Sequence, residues 1–256
     1  MFDRLSENMT KRSAALLLTI DNRLDVILKY WLLIAGLSST ARIAAAPHYF
    51  PIAGVSTFGS YMLLVVAPFA STLLALRWFS DGHLQPQPLT RLARVGRWVS
   101  VSRAAAERHP LYGTSGIMVS LIVGMMLNVP VRAAEYLAAM PPMPVEAPRW
   151  LSVLHFAMTF DVVVFTSLYM IAFVAALRRV PLFPRLLMAI WIGDLTMQVA
   201  TAQMVSSTHL PAAVATALHS LLIGNVKKVL ISVALWLPYL LLSTRVNVTY
   251  RHRVPA

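Results

Sequence analysis

The chain has 256 residues, of which 58% are hydrophobic and only 12% are charged. A soluble globular domain carries about 25% charged residues, so this composition argues against a soluble protein. The formal net charge of +12 is explained better by arginines that cluster on one side of a membrane than by a nucleic-acid partner. Because the chain contains no Cys, disulfides, thiolate metal sites and a cysteine nucleophile are excluded.

Apolar stretches of the length of a membrane span recur along the chain, which predicts an all-α, polytopic transmembrane bundle with about six spans. The predicted spans cover residues 26–46, 55–76, 115–137, 151–177, 186–207 and 229–243. The apolar stretch 212–225 is too short to cross alone, and we interpret it as an interfacial or partly inserted helix. We divide the chain into an amino-terminal two-helix membrane segment with a basic linker, residues 1–108, and a four-helix membrane domain, residues 109–256.

The linker after the second predicted span is rich in arginine. On a helical wheel its apolar and basic side chains separate, with Leu92, Val95 and Val99 on one side and Arg91, Arg94 and Arg97 on another. This pattern predicts an amphipathic helix on an anionic leaflet. A solvated basic linker is the alternative, and the sequence does not choose between them.

In the third predicted span, Gly116, Ser120 and Gly124 recur every four residues. Small residues at this spacing let another helix approach closely, so we expect a helix-packing face. Arg132 and Glu135 lie three residues apart near the end of the span, which predicts a local ion pair at the membrane interface.

The fourth and fifth predicted spans each carry one carboxylate. Asp161 and Asp194 lie about ten residues into their spans, which puts both near the middle of a hydrocarbon core about 30 Å thick. The short basic hinge 178–185 makes the two helices antiparallel neighbours, so we expect at least one acid to hold a proton at neutral pH. Gln198 on one helix and His155 on the other complete a candidate proton or ion site. Hydrogen bonding between the helices, with no ion site, is the alternative.

The distribution of basic residues predicts the orientation. If the amino terminus is cytoplasmic, all but five of the 22 Lys and Arg are cytoplasmic, which places both termini inside a bacterial inner membrane. The five remaining residues are Arg42, Arg132, Arg149, Lys227 and Lys228. We expect Arg178, Arg179 and Arg245, like the linker arginines, to meet the anionic lipids of the inner leaflet.

The carboxyl-terminal part resembles a known family. Trp236, Pro238 and Tyr239 are followed by Ser243, Arg245, Val246, Thr249 and Tyr250. This Trp-x-Pro-Tyr helix with a Ser-x-Arg-Val-x-x-Thr-aromatic tail resembles the end of a bacterial four-helix inner-membrane family, domain of unknown function 2569. The hinge 179–185 is also similar, and the resemblance covers residues 112–250. The family often has Lys where Thr244 stands, and it implies fold and location but no site residues.

The function expected from the sequence is a structural or partner-binding role within the membrane. The partner would be the lipid bilayer together with another membrane protein or a second copy of the chain. A small proton- or cation-coupled transporter or channel is the alternative. We expect no enzyme, metal or cofactor, because the seven His residues are scattered and no metal, nucleophile or phosphate-binding motif occurs.

Overall fold

The structure is a computed structural model that describes residues 2–46, 54–90 and 96–256, with side chains described from Met9 onward. Helices dominate the described residues. In chain order the elements are α1 (Phe2–Asn22), α2 (Leu24–Ala44), α3 (Gly54–Trp78), β1 (Trp98–Ser100), α4 (Arg103–Glu107), α5 (Ile117–Ala139), α6 (Arg149–Leu177), α7 (Phe183–Ser206), α8 (Ala212–Leu242), α9 (Thr244–Arg251) and β2 (Arg253–Pro255).

Among the described residues, five helices are long and apolar enough to cross a membrane: α2, α3, α5, α6 and α8. Continuous helix suits such segments, because a bilayer offers no water to satisfy backbone polar groups. The chain is therefore a multi-pass membrane protein, and the predicted all-α bundle is confirmed. The predicted fifth span corresponds to α7, which is long but less apolar than these five helices. Its crossing of the membrane stays a prediction.

Helix α6 forms the centre of the bundle and is the most buried of the five spans. It packs against α3, α5 and α7, and α8 packs against α7. The bundle has two ends, which we name after their connections: the 140–148 end, between α5 and α6, and the hinge end, between α6 and α7. Both predicted segments of the chain contribute to one core, in which Tyr61 and Leu64 of α3 pack with Tyr136 of α5 and Leu154 of α6.

The sixth predicted span differs from its expected form. Helix α8 runs without a break for 31 residues, so the predicted division between an interfacial or partly inserted helix over residues 212–225 and a span over residues 229–243 is wrong. The predicted division falls at the polar residues Asn225, Lys227 and Lys228. Two of them find partners on neighbouring helices: Asn225 donates to Gln198 of α7, and Lys228 pairs with Glu135 of α5. Their polar groups are satisfied within the bundle, so the helix continues.

An amphipathic helix through the arginine-rich linker, one of its two predicted forms, does not extend over the described residues 96–100. Arg91, Leu92, Arg94 and Val95 lie outside the described residues. Beyond them, Gly96 has φ +92, and strand β1 pairs antiparallel with β2, with Val99 opposite Val254. A strand cannot present the helical face on which the prediction depended.

The carboxyl-terminal tail closes the hinge end of the bundle. The Tyr250 hydroxyl donates to the carbonyl oxygen of Ala176 at 2.9 Å, and its ring packs on Phe183. The carbonyl of Ala176 lies in the last turn of α6, where helices leave carbonyls without helical partners. Burial, helped by Arg253 and Arg185 nearby, lowers the pKa of Arg251 to about 10.

The linker approaches the hinge closely at Gly82. A Cβ on this residue would lie 2.6 Å from the Val180 side chain and 2.9 Å from the Arg178 carbonyl oxygen. Only glycine therefore fits this contact without a shift of the hinge. The contact joins the end of α3 to the turn between α6 and α7.

Candidate functional site

The two intramembrane carboxylates meet at the α6–α7 contact. Asp161 and Asp194 are both buried, and the Gln198 amide donates to Asp161 Oδ1 at 3.1 Å and to Asp194 Oδ1 at 3.3 Å. Gln198 lies one turn from Asp194 on α7, so both side chains project toward the same part of α6. The three residues that the sequence predicts to be neighbours therefore do lie together.

An arginine that the sequence analysis had placed elsewhere joins the two carboxylates. Arg132 of α5 donates through Nη1 to Asp161 Oδ2 at 3.0 Å, and through Nη2 to Asp194 Oδ2. Its Nε donates to Asn128 Oδ1 at 3.1 Å. The predicted pair between Arg132 and Glu135 is therefore wrong. The planar guanidinium can bind two carboxylates at once, and the two buried acids offer a better-matched partner than one exposed acid on the same helix.

Aromatic rings enclose the guanidinium of Arg132. Its Cζ lies 5.2 Å from the centroid of the Phe165 ring and 5.7 Å from that of Tyr169. The Tyr169 hydroxyl also donates to Asp194 Oδ2 at 3.4 Å. Ring faces attract a cation and exclude water, so the charged group is held by carboxylates and rings together. We call Arg132, Asp161, Asp194 and Gln198 the central cluster.

A second ion pair lies beside the central cluster. Lys228 of α8 pairs with Glu135 of α5, and the Asn225 amide of α8 donates to Gln198 Oε1 at 3.4 Å. Both charged side chains of the pair remain about half exposed. Helix α8 thus contributes polar groups next to the cluster, although most of its surface is exposed.

A cavity of about 590 Å³ separates α8 from α5 and α6. We call it the central cavity. Its polar lining includes Arg132, Glu135, Asp161, Asn225 and Lys228, and its remaining wall is mainly aliphatic. Ligand sites are typically cavities of about 300–1,000 Å³ with apolar walls and a few polar groups, which this cavity matches.

His155 lies apart from the two carboxylates with which the sequence analysis had grouped it. Its Nε2 is 3.4 Å from the Ser60 hydroxyl of α3 and 3.4 Å from the Tyr136 hydroxyl of α5. The Tyr136 hydroxyl is also 2.7 Å from Thr159 Oγ1. Side chains of α3, α5 and α6 thus form a second set of polar contacts, which lies nearer the 140–148 end.

The predicted packing face of α5 meets a described helix only at its Gly116 end, where the Gly116 N–H donates to Ser13 Oγ of α1 at 2.8 Å. Gly116 precedes the helix as its N-cap, with φ +65. Ser120 is exposed, and a Cβ on Gly124 would meet no other atom within 4 Å. Within the described residues no helix packs closely on Ser120 or Gly124, and the approach of another helix to this face stays a prediction.

Most of the described basic residues predicted for the membrane surface contact the chain itself. Arg178 pairs with Asp21 at 3.2 Å, and the Arg179 guanidinium lies 5.4 Å from the Tyr112 ring centroid. Arg245 donates to Ser115 Oγ. Arg97 is exposed, and Arg91 and Arg94 lie outside the described residues. These contacts hold together the segments that lie at the hinge end.

Three residues of the site were missed by the sequence analysis: Arg132 as a partner of the two acids, Tyr136, and Lys228 as a group within the bundle. The signal was present for Arg132, because an arginine inside an apolar span is itself a mark of an internal site. Helix α5 continues through Pro130 to Ala139, so Arg132 lies within the helix.

Comparisons of the chain with family models, with curated proteins and with solved structures found no match. The resemblance of the tail to domain of unknown function 2569 stays a prediction. Within the described residues no group of three or more His, Asp or Glu side chains is arranged to hold a metal ion. The functional interpretation therefore depends on the central cluster and the cavity beside it.

Proposed function

We propose that the protein is a small transporter or channel that moves protons or small cations, and that the central cluster is its charge-binding site. The observation that carries this proposal is the position of Arg132 between two buried carboxylates at the wall of the central cavity. The location we propose is a bacterial inner membrane, with both termini cytoplasmic and the exposed Arg97 near anionic lipids.

The charge of the cluster supports this proposal. One guanidinium neutralises one carboxylate, so Asp161 and Asp194 leave one negative charge without a countercharge when both are ionised. An uncompensated charge costs several kcal/mol inside a protein, so binding of one proton or one small cation is favoured. A purely structural ion pair would need only one of the two acids.

The central cavity supplies access to this charge. Asp161 lines the cavity, whereas Asp194 is fully buried behind it. A proton or cation that arrives through the cavity therefore meets Asp161 first. Asp194 then holds Arg132 in place while the state of Asp161 changes. This division assigns Asp161 to charge uptake and Asp194 to the positioning of Arg132.

A structural or partner-binding role is the second candidate, and one observation favours it. Within the described residues each charged side chain of the central cluster has a hydrogen-bonding partner, as expected for static contacts between helices. A protein with this structural role would conduct neither protons nor cations.

The test is proton flux through the full chain reconstituted in liposomes that contain a pH-sensitive dye. We expect the wild-type protein to conduct protons when a membrane potential is applied. The variants Asp161→Asn and Asp194→Asn should show only the proton leak of liposomes without protein. Each single Asn variant keeps one carboxylate for Arg132, so its fold and unfolding temperature should be retained. Asp81→Asn, at an exposed position, is the matched control. Wild-type liposomes without flux of protons or alkali cations would favour the structural candidate.

A further inference from the structure

Two cavities lie near Tyr136. The first is the central cavity, whose wall includes Tyr136. The second, about 530 Å³, lies between α3 and α6 and has His155 and Thr159 in its wall. Met143 and Val145 also line this α3–α6 cavity, so it is located at the 140–148 end of the bundle. The hydroxyl of Tyr136 contacts residues of the second cavity while its side chain borders the first.

The hydrogen bonds around His155 link these cavities. The Ser60 hydroxyl donates to the Thr57 carbonyl oxygen at 3.0 Å, so its oxygen is free to accept from His155 Nε2. The Tyr136 hydroxyl lies 3.4 Å from the same nitrogen and can accept from it as well. Imidazole and hydroxyl groups both donate and accept, which is the property that a proton-transfer chain requires.

The titratable and charged neighbours of the imidazole come from the helices around it. Tyr136 of α5 is in direct contact, and the Tyr61 ring of α3 lies 6.2 Å from the Tyr136 ring. Thr159, one turn from His155 on α6, binds the Tyr136 hydroxyl. Tyr136 is therefore the titratable group in contact with His155 that also borders the central cavity.

The path from Tyr136 to Asp161 crosses the central cavity. Arg132 and Tyr136 are four residues apart on α5 and so lie on one face of that helix. The cavity volume of about 590 Å³ has room for several waters, since each occupies roughly 30 Å³ in the liquid. Polar groups of Asn128, Asn225 and Lys228 in its wall can hold such waters by hydrogen bonds.

We propose that His155 and Tyr136 form a proton-transfer path between the 140–148 end of the bundle and Asp161. The imidazole takes a proton from water in the α3–α6 cavity, and its Nε2 proton passes to the Tyr136 oxygen. The Tyr136 hydroxyl proton leaves at the same time to water in the central cavity, and that water protonates Asp161. One proton is taken up and one is delivered, so Tyr136 ends neutral and the imidazole ends as its other neutral tautomer. Loss of the Nδ1 proton to water and uptake of a proton at Nε2 from water of the α3–α6 cavity restore the first tautomer, with no net change in protons.

This inference rests on the proposed function, and the same liposomes test it. Tyr136→Phe removes the hydroxyl but keeps the ring, and His155→Gln removes the titratable group. We expect each variant to slow proton flux by about a hundredfold, the lower end of the effect of a positioned proton-transfer group. Tyr61→Phe is the matched control: it removes a neighbouring hydroxyl outside the path and should leave the flux unchanged. The unfolding temperature of every variant is measured alongside.

Chemical rescue separates proton transfer from a packing role. For His155→Ala, imidazole in the buffer should restore flux, whereas pyrazole, which has a similar shape but is far less basic, should not. Equal rescue by both compounds, or wild-type flux in Tyr136→Phe, overturns the path but leaves the proposed function standing. Wild-type protein without flux overturns both proposals.

Discussion

Arg132 of α5 donates to the carboxylate of Asp161 on α6 at 3.0 Å, and the same guanidinium binds Asp194 on α7. One side chain thereby joins three helices in the middle of the bundle. Removing one partner of a buried ion pair leaves a charge without a countercharge. Substitutions of these three residues should therefore have non-additive effects on the free energy of unfolding.

The first prediction concerns the charge balance of this unit. Arg132→Met leaves two buried carboxylates without a cation, so it should lower the free energy of unfolding by about 3–5 kcal/mol. Adding Asp161→Asn and Asp194→Asn should restore most of this loss, since no buried charge then lacks a partner. The measurement is membrane yield together with unfolding in detergent. Arg149→Met, at an exposed position, is the control, and a triple variant no better than Arg132→Met would contradict the prediction.

The second prediction concerns orientation. A reporter inserted after Pro142 should read as external, and reporters after Pro86 and after Arg253 should read as cytoplasmic, because this arrangement keeps most Lys and Arg inside. The assay uses paired reporters that are active on opposite sides of the membrane. An external reading after Pro86 would reverse the proposed topology.

The third prediction concerns the contact between α5 and α8. Because the chain has no Cys, two can be introduced without background. Glu135→Cys together with Lys228→Cys should be joined by a short bismaleimide, since the native side chains are paired across the two helices. Glu135→Cys with Leu230→Cys is the control, because Leu230 is exposed and two residues along a helix is nearly the opposite face. The yield of the cross-link in each double variant is measured by mass spectrometry. Equal yields in the two variants would argue against this arrangement of α8.

The fourth prediction concerns the tail. Tyr250→Phe removes the hydrogen bond to the Ala176 carbonyl and should lower the free energy of unfolding by about 1 kcal/mol. Tyr250→Ala also removes the ring from its place on Phe183 and should cost about 3–5 kcal/mol. Equilibrium unfolding in mixed micelles measures both. Tyr30→Phe, at a position 60% exposed, should have no effect, and an unchanged Tyr250→Ala would show that the tail does not hold α6.

The sequence was sufficient to predict α2, α3, α5, α6 and α7, and the meeting of Asp161 with Asp194. Apolar length is a strong signal for a span, and a short hinge forces two consecutive spans into antiparallel contact. The spacing of each acid within its span then places the two at similar depth. These inferences need only local information and helical geometry.

The partners of the acids could not be predicted in the same way. Arg132 is close to Glu135 in the sequence, but its binding to Asp161 depends on how α5 is rotated against α6. Rotation is decided by packing among several helices, which no single segment encodes. The pairing of Lys228 with Glu135 could not be predicted for the same reason, since the two residues lie far apart in the chain.

The pairing of β1 with β2 joins Trp98–Ser100 to Arg253–Pro255. Translation proceeds from the amino terminus, so β1 leaves the ribosome long before its partner strand exists. At a synthesis rate of about 5–20 residues per second, this interval lasts roughly ten to thirty seconds. During that time the arginine-rich linker stays without its partner strand while α5 to α8 enter the bilayer. Pairing of these strands is therefore a late event in biogenesis, and a chain that ends before Arg253 cannot complete it.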